Sequence, residues 1–293
     1  MKPENGVLPE PNQLVPKTPK AWLLATISLF SLGVLVILIA EYLPIGVDWE
    51  IAFRPAALAV VNGESPYSIP GFFNPPWTII PLIPLAVLPA RIGWGLYTVI
   101  GFLILGLLAI RFKANRITFA LLLSSPPVLH GVLNGNLDWL ALSGLLFPRW
   151  LGLFFISMKP QIGIGVAVYW IVNTYQRDGG KNLLLLLAPI GTISVISILM
   201  FGPWPLRSTQ EIDLWWNASL WPWSIPFGLA FLLLAIRDKK EELSLVSSPM
   251  LSPYVLLHSW VSSLFAVLKN TRASILVIGG IWLWVLIRAV VLY

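Results

Sequence analysis

"WLLATISLFSLGVLVILIAEYLPI", residues 22–45, decides which solvent this chain folds in. The stretch holds one charge, Glu41. As a helix rising 1.5 Å per residue it would reach about 36 Å, enough to cross ~30 Å of hydrocarbon. Its apolar residues are continuous rather than alternating, which predicts a helix and not a barrel strand. It is too long for the apolar core of a signal peptide and lacks a small-residue cleavage site, so it is expected to stay as an anchor.

Apolar runs of the same kind recur along the 293 residues, 57% of which are hydrophobic and only 11% charged. A soluble fold of this composition would lack the polar surface to cover itself. The expectation is an all-α polytopic membrane protein. With no cysteine there is no disulfide framework, thiolate metal site or cysteine nucleophile. The net charge of +6 does not point to nucleic acid, because the cations sit between apolar runs. The positive-inside rule accounts for them better.

That rule sets an orientation. Residues 1–20, rich in proline and polar groups, read as a flexible cytoplasmic tail ahead of a single membrane domain over 21–293. The basic clusters RFKANR (111–116), QRDGGK (176–181), RDKKEE (237–242) and KNTR (269–272) are placed on the same side. The N-terminus is then cytoplasmic, in a multi-pass protein of the cell membrane. Residues 46–92 form a first outer loop, and the Trp-rich segment 202–222 forms another.

Parity requires an even number of crossings before residue 111. The run 93–110 is one return, so NPPWTIIPLIPLAVLP (74–89) should not cross but lie on the outer surface or re-enter against protein. Further crossings are expected near 117–133, 137–147, 150–158, 160–173, 182–201, 222–236, 243–252, 253–268 and 273–292. The total is about 9–11 transmembrane helices, several too short for the full hydrocarbon thickness. Short, proline-broken helices fit a water-filled cavity in one face.

Ionisable groups in such a chain are costly and are functional candidates by default. Asp48, Glu50 and Arg54 follow the first run. One reading makes Asp48 a helix cap and Glu50–Arg54 an i, i+4 pair on an interfacial helix. The other makes one carboxylate a proton acceptor. HGVLNGNLDWL (130–140) gathers His130, Asn134, Asn136 and Asp138, either as a polar turn or as a site. Gly131 and Gly135 have the spacing of a close helix contact. Lys159, in MKPQ, either snorkels or faces an anion, and His258, after SPMLSPY, is either a satisfied core group or a pocket residue. No phosphate loop, HExxH or nucleophile elbow is present, and two histidines make no metal cluster.

The order of these motifs carries a resemblance. An Asp after helix one, an apolar helix ending in NGESPY, an aromatic-Asn-Pro-Pro segment, PLAVLP, NGNLD, KPQ and SPMLSPY follow one another over about residues 20–260. The chain resembles the GT-C glycosyltransferases, most of all glycosyltransferase family 87, mannosyltransferases using a polyprenyl-phosphate donor. The resemblance implies a GT-C-like bundle whose first outer loop carries interfacial helices. It also implies an inverting transfer of a hexose, mannose in that family, to an acceptor hydroxyl on the outer face. Asp48 would be the base, with Glu50 as the alternative. Lys159 and Gln161 would bind the donor phosphate, and Tyr67, Asn74, Asn136, Asp138 and His258 would line the pocket. No cofactor is implied, and a metal requirement is left open. The partners implied are the lipid-linked sugar, membrane lipid and a glycan, lipid or protein acceptor, with no nucleic acid. The other class to weigh is a non-enzymatic membrane protein: a lipid-linked-sugar flippase, a transporter, or an accessory subunit of a larger transferase.

Overall fold

The computed structural model describes residues 18–209 and 217–292. Most of the expected tail and the centre of the Trp-rich segment lie outside the described residues. All regular structure among the described residues is helical. The helices are α1 (Pro19–Tyr42), α2 (Arg54–Val61), α3 (Ile83–Ala86), α4 (Ala90–Arg111), α5 (Arg116–Leu123), α6 (Pro126–Asn134) and α7 (Asp138–Leu142). They continue as α8 (Arg149–Ile156), α9 (Pro160–Phe201), α10 (Ile225–Asp238), α11 (Glu241–Met250), α12 (Val261–Leu264) and α13 (Thr271–Leu292).

Four of these, α1, α4, α9 and α13, are long and apolar enough to cross a bilayer. The pair α5–α6, bent by 46°, makes a fifth if it is one broken span. The chain is therefore a helical membrane protein with several crossings. The larger number expected from the sequence drew on segments that fold as short helices. α7 has 5 residues, α8 has 8, α11 has 10 and α10 has 14, against the ~20 a full crossing needs. Prolines punctuate them: Pro126, Pro160 and Pro226 stand in the first turns of α6, α9 and α10, where a missing N–H costs nothing. Pro76–Ala86 is a short apolar helical run, as expected for a segment that does not cross.

The 42 residues of α9 would reach about 63 Å unbroken, twice the hydrocarbon thickness. They do not run straight. Gly179 sits at φ 76°, where a side chain would be strained, and breaks the helix inside the QRDGGK cluster. The turn expected between residues 173 and 182 is this break.

α4 is the central helix. Its most apolar window is 56% buried, against 11% for α1, α9 and α13, whose faces look outward as lipid-facing helices do. Around one end of α4 lies an aromatic core of Trp49, Trp77, Trp94 and Tyr97 with Leu137 and Met158. Around the rest lies an aliphatic core including Leu108, Leu142, Trp170, Leu245 and Phe265. Trp139 packs against both.

The two ends of α4 differ in chemistry, and its 22 residues hold them about 33 Å apart. At the Arg111 end the basic loops meet. Arg111 pairs with Glu241 at 2.5 Å, Lys269 with Glu242 at 3.1 Å, and Asn115 donates to Thr271 at 2.8 Å. Trp170 Nε1 joins them through Glu241 at 2.7 Å. At the Trp94 end stand the loop after α1 and the turns before α7 and α9.

Candidate functional site

The site begins with a close approach of two loops. Gly46, after α1, lies against Gly135, which ends α6 in the left-handed region at φ 68°. A Cβ on Gly46 would come within 2.5 Å of the Gly135 backbone, and one on Gly135 within 2.9 Å of Trp49 and Trp94. Only glycine at both places lets the chain pass. Tyr97 of α4 fixes the second loop by donating its hydroxyl to the Asn136 carbonyl at 2.7 Å. Two residues beyond each glycine or fewer, Asp48 and Asn136 face one another.

The Asn136 amide donates from Nδ2 to Asp48 Oδ2 at 2.6 Å. Its Oδ1 accepts the Leu137 N–H at 2.7 Å and an N–H of Lys159. With two donors on the oxygen and a carboxylate on the nitrogen, the amide has one satisfied orientation. Asp48 therefore does not cap the following helix: it makes no side-chain cap bond, and the turn after it, Trp49–Phe53, is a wide π turn. Glu50 does not pair with Arg54, which donates instead to the Leu88 carbonyl at 3.3 Å. The reading of these charges as only a cap and a helix pair is thereby corrected. Asp48 was drawn away by a stronger partner 88 residues on.

Lys159 is the pivot of the next step. It precedes Pro160 in an extended conformation, as a residue before proline prefers. This turns its side chain away from α9 and back toward α7. Its ammonium lies 2.6 Å from Asp138 Oδ1, and the two side chains are 6% and 7% exposed. Asp138 Oδ2 accepts from His258 Nδ1, and Ser259 Oγ donates to Oδ1 at 3.3 Å. His258 sits on a short turn, Leu257–Trp260, against α6. Gly131 makes room for it: a Cβ there would be 3.3 Å from His258 Cβ. The ring of His130 stacks on His258 with centroids 5.3 Å apart.

Asp48, Asn136, Lys159, Asp138 and His258 thus form one unbroken polar chain from four separate loops. Asp138 and His258 lie outside the spanning helices. Burial works against ionisation of Asp138, but His258 and Lys159 overcome it and hold the carboxyl below its ordinary range. For His258 burial wins and lowers the imidazole below its ordinary value, despite Asp138. A neutral imidazole facing a carboxylate through Nδ1 carries its proton there and keeps Nε2 as an acceptor. Among the described residues Nε2 has no partner.

The chain borders a cavity of about 1210 Å³, lined by Asp48, Asn136, Lys159 and His258 together with His130, Asn134, Asn74 and Gln161. Aromatic and aliphatic walls come from Phe53, Trp77, Ile190, Trp204, Trp284 and Val285. Asn74 donates to the Met158 carbonyl at 2.9 Å and so ties the first outer loop to the Lys159 turn. Gln161 Oε1 is buried without a partner among the described residues. Two expected site residues stand apart. Tyr67 donates its hydroxyl to the Asn74 carbonyl at 2.9 Å, a step behind the cavity wall. Glu50 is exposed and does not line the cavity. Sequence reasoning missed Arg288, half-buried on α13 in the same cavity, with its guanidinium 5.2 Å from the Trp284 ring centroid. It is the one charge inside the run 273–292, and that isolation was the available signal.

The chain matches no protein-family model, no curated protein and no solved structure.

Proposed function

We propose that the protein is a membrane glycosyltransferase that moves a hexose, mannose by the motif order, from a polyprenyl-phosphate donor to an acceptor hydroxyl. The observation that carries this reading is Asp48. It is a half-buried carboxylate on the wall of a large amphipathic cavity, with one oxygen held by Asn136 and no bond among the described residues to the other. A carboxylate so oriented is ready to take a proton from a hydroxyl within hydrogen-bond reach. The acceptor oxygen then attacks the anomeric carbon, the C1–O bond to phosphate breaks, and the phosphate leaves with the electron pair. The anomeric centre inverts. The mixed lining suits a substrate with a sugar at one end and a hydrocarbon chain at the other. The basic loops at the far end of α4 favour an outer-face site, reached from the side opposite the cytoplasm. The order of motifs from Asp48 through KPQ to SPMLSPY supports a GT-C-like arrangement of family 87 type.

Glu50 has a weaker claim as base because it is outside the cavity. The test is transfer of labelled mannose from polyprenyl-phosphate-mannose by purified protein to a glycan and lipid extract of the source. Asp48→Asn is run beside wild type. Loss of transfer with retained folding is expected. Transfer at the wild-type rate by Asp48→Asn would remove Asp48 from the mechanism. Donor binding without transfer by either protein would favour a carrier or accessory subunit.

A further inference from the structure

The positive-inside rule says which loops are basic but not which of their cations find partners. At the Arg111 end of α4 the carboxylates among the described residues are already paired. Glu241 holds Arg111, Glu242 holds Lys269, Asp238 holds Arg237 and Asp178 holds Arg177. Lys113, Arg116 and Arg272 are exposed, and among the described residues they make no ion pair or side-chain hydrogen bond. No Asp or Glu occurs in either of their segments, 111–123 and 269–292. The other surplus cations of this end, Lys181 and Lys239, each lie within three residues of an aspartate.

The fold brings the three together. Asn115 Nδ2 donates to Thr271 Oγ1 at 2.8 Å, and Arg116 and Arg272 each follow directly on a residue of that bond. Further along, Trp282 Nε1 of α13 donates to the Ser124 carbonyl at the end of α5 at 3.2 Å. Bonded at both places, α5 and α13 run side by side in the same direction, so Arg116 and Arg272 stand at one level. Lys113 lies in the turn that leads into α5. Three like charges so close repel one another unless an anion joins them.

We propose that Lys113, Arg116 and Arg272 bind the phosphate headgroup of an anionic phospholipid whose acyl chains lie along the outer face of α5 and α13. What selects a lipid over a soluble anion is the surface next to the cations. Ile117 on α5 is 60% exposed, and Ile275 and Leu276 on α13 are 50% and 75% exposed. Gly279 and Gly280 follow one turn on, exposed and with open space where a Cβ would be, so the surface of α13 is hollow there. Cations at the rim of an apolar face match a headgroup above its hydrocarbon chains. The guanidinium pair also suits the oxygens of a phosphodiester. This site lies at the other end of α4 from the cavity and does not depend on the transferase reading.

The experiment uses purified, delipidated full-length protein in a nonionic detergent. Native mass spectrometry measures the affinity of dioleoyl-phosphatidylglycerol, dioleoyl-phosphatidylcholine and glycerol phosphate. Wild type should prefer phosphatidylglycerol to phosphatidylcholine by about tenfold. The double variant Arg116→Gln/Arg272→Gln should bind phosphatidylglycerol about tenfold or more weakly and phosphatidylcholine unchanged. Lys181→Gln/Lys239→Gln removes the same charge from the same end and should stay within about twofold of wild type. Unchanged phosphatidylglycerol affinity in the arginine variant overturns the site. Equal losses in the two double variants do so as well, because diffuse charge would then be enough. Glycerol phosphate binding as tightly as phosphatidylglycerol overturns the lipid as its ligand. If the arginine variant unfolds earlier than wild type without lipid, Lys113→Gln decides: a several-fold loss is expected, and no loss overturns the site.

Discussion

Replacing Lys159 with Met removes one member of a buried ion pair and leaves the other in place. The two side chains are 6% and 7% exposed with N–O 2.6 Å. At that separation and an effective dielectric near 20, the attraction is about 6 kcal/mol, of which the desolvation of both ions cancels the greater part. Removing one ion recovers none of the cost of burying the other. Lys159→Met and Asp138→Leu should therefore each destabilise the protein by about 3–5 kcal/mol. In the double variant no buried charge is stranded. What remains is the loss of an acceptor for His258 Nδ1, about 1–3 kcal/mol for a group left unsatisfied, since Asn136 Oδ1 keeps the Leu137 N–H. The double variant should thus lose less than the two single losses combined, by at least about 2 kcal/mol. Reversible unfolding in mixed micelles with rising dodecyl sulfate, followed by tryptophan emission, reads all four proteins. If the losses simply add, the pair is not coupled, and the polar chain from Asp48 to His258 does not act as one unit. Sugar transfer gives a second reading. The double variant, though refolded, should stay far below wild type, because Asn136 has lost the donor that orients it toward Asp48.

The glycine contact makes a steric prediction. Gly46→Ala and Gly135→Ala should each destabilise the fold by about 1–3 kcal/mol, as overpacked positions do, and reduce transfer by separating Asp48 from Asn136. Gly33→Ala, with nothing within 4 Å of the added methyl, should match wild type in both measurements. Glu50→Gln should transfer within about twofold of wild type, since its side chain is exposed and off the cavity. A large loss from Glu50→Gln would exchange the roles given to the two carboxylates.

The membrane class was legible in one 24-residue run, because no other solvent tolerates it. Helix existence was legible too, but the count of spans was not. Composition marks a segment as apolar without saying whether prolines divide it into pieces too short to cross. Asp48, Asn136, Asp138, Lys159 and His258 could each be singled out as a polar group in costly surroundings. Their partners could not, since Asp48 meets Asn136 from 88 residues away and His258 meets Asp138 from 120. Local reasoning offered Asp48 a helix to cap and Glu50 an arginine to pair with, and both local bonds lost to tertiary ones. It also put Asp48 ahead of Glu50 only by the resemblance, and kept Glu50 as the alternative base. On a helical turn residues two apart point about 200° from one another, so at most one could face the cavity.

The question raised by charges in so apolar a chain has an answer in how each one is stabilised. No member of the polar chain could stay ionised and buried alone. Lys159 holds Asp138 charged, His258 supplies that carboxylate with a second donor, and Asn136 carries the influence of Lys159 to Asp48 without a charge of its own. Asn136 matters for that reason: an amide bonds a cation with its oxygen and a carboxylate with its nitrogen at once. A direct Lys159–Asp48 pair would neutralise the carboxylate that the proposed transferase uses as its base. An intervening amide fixes Asp48 in direction and leaves its charge available at the cavity. That is what a proton acceptor needs and a purely structural ion pair does not. The arrangement predicts that Asn136→Asp, close in size but unable to donate, would disrupt Asp48 more than Asn136→Gln.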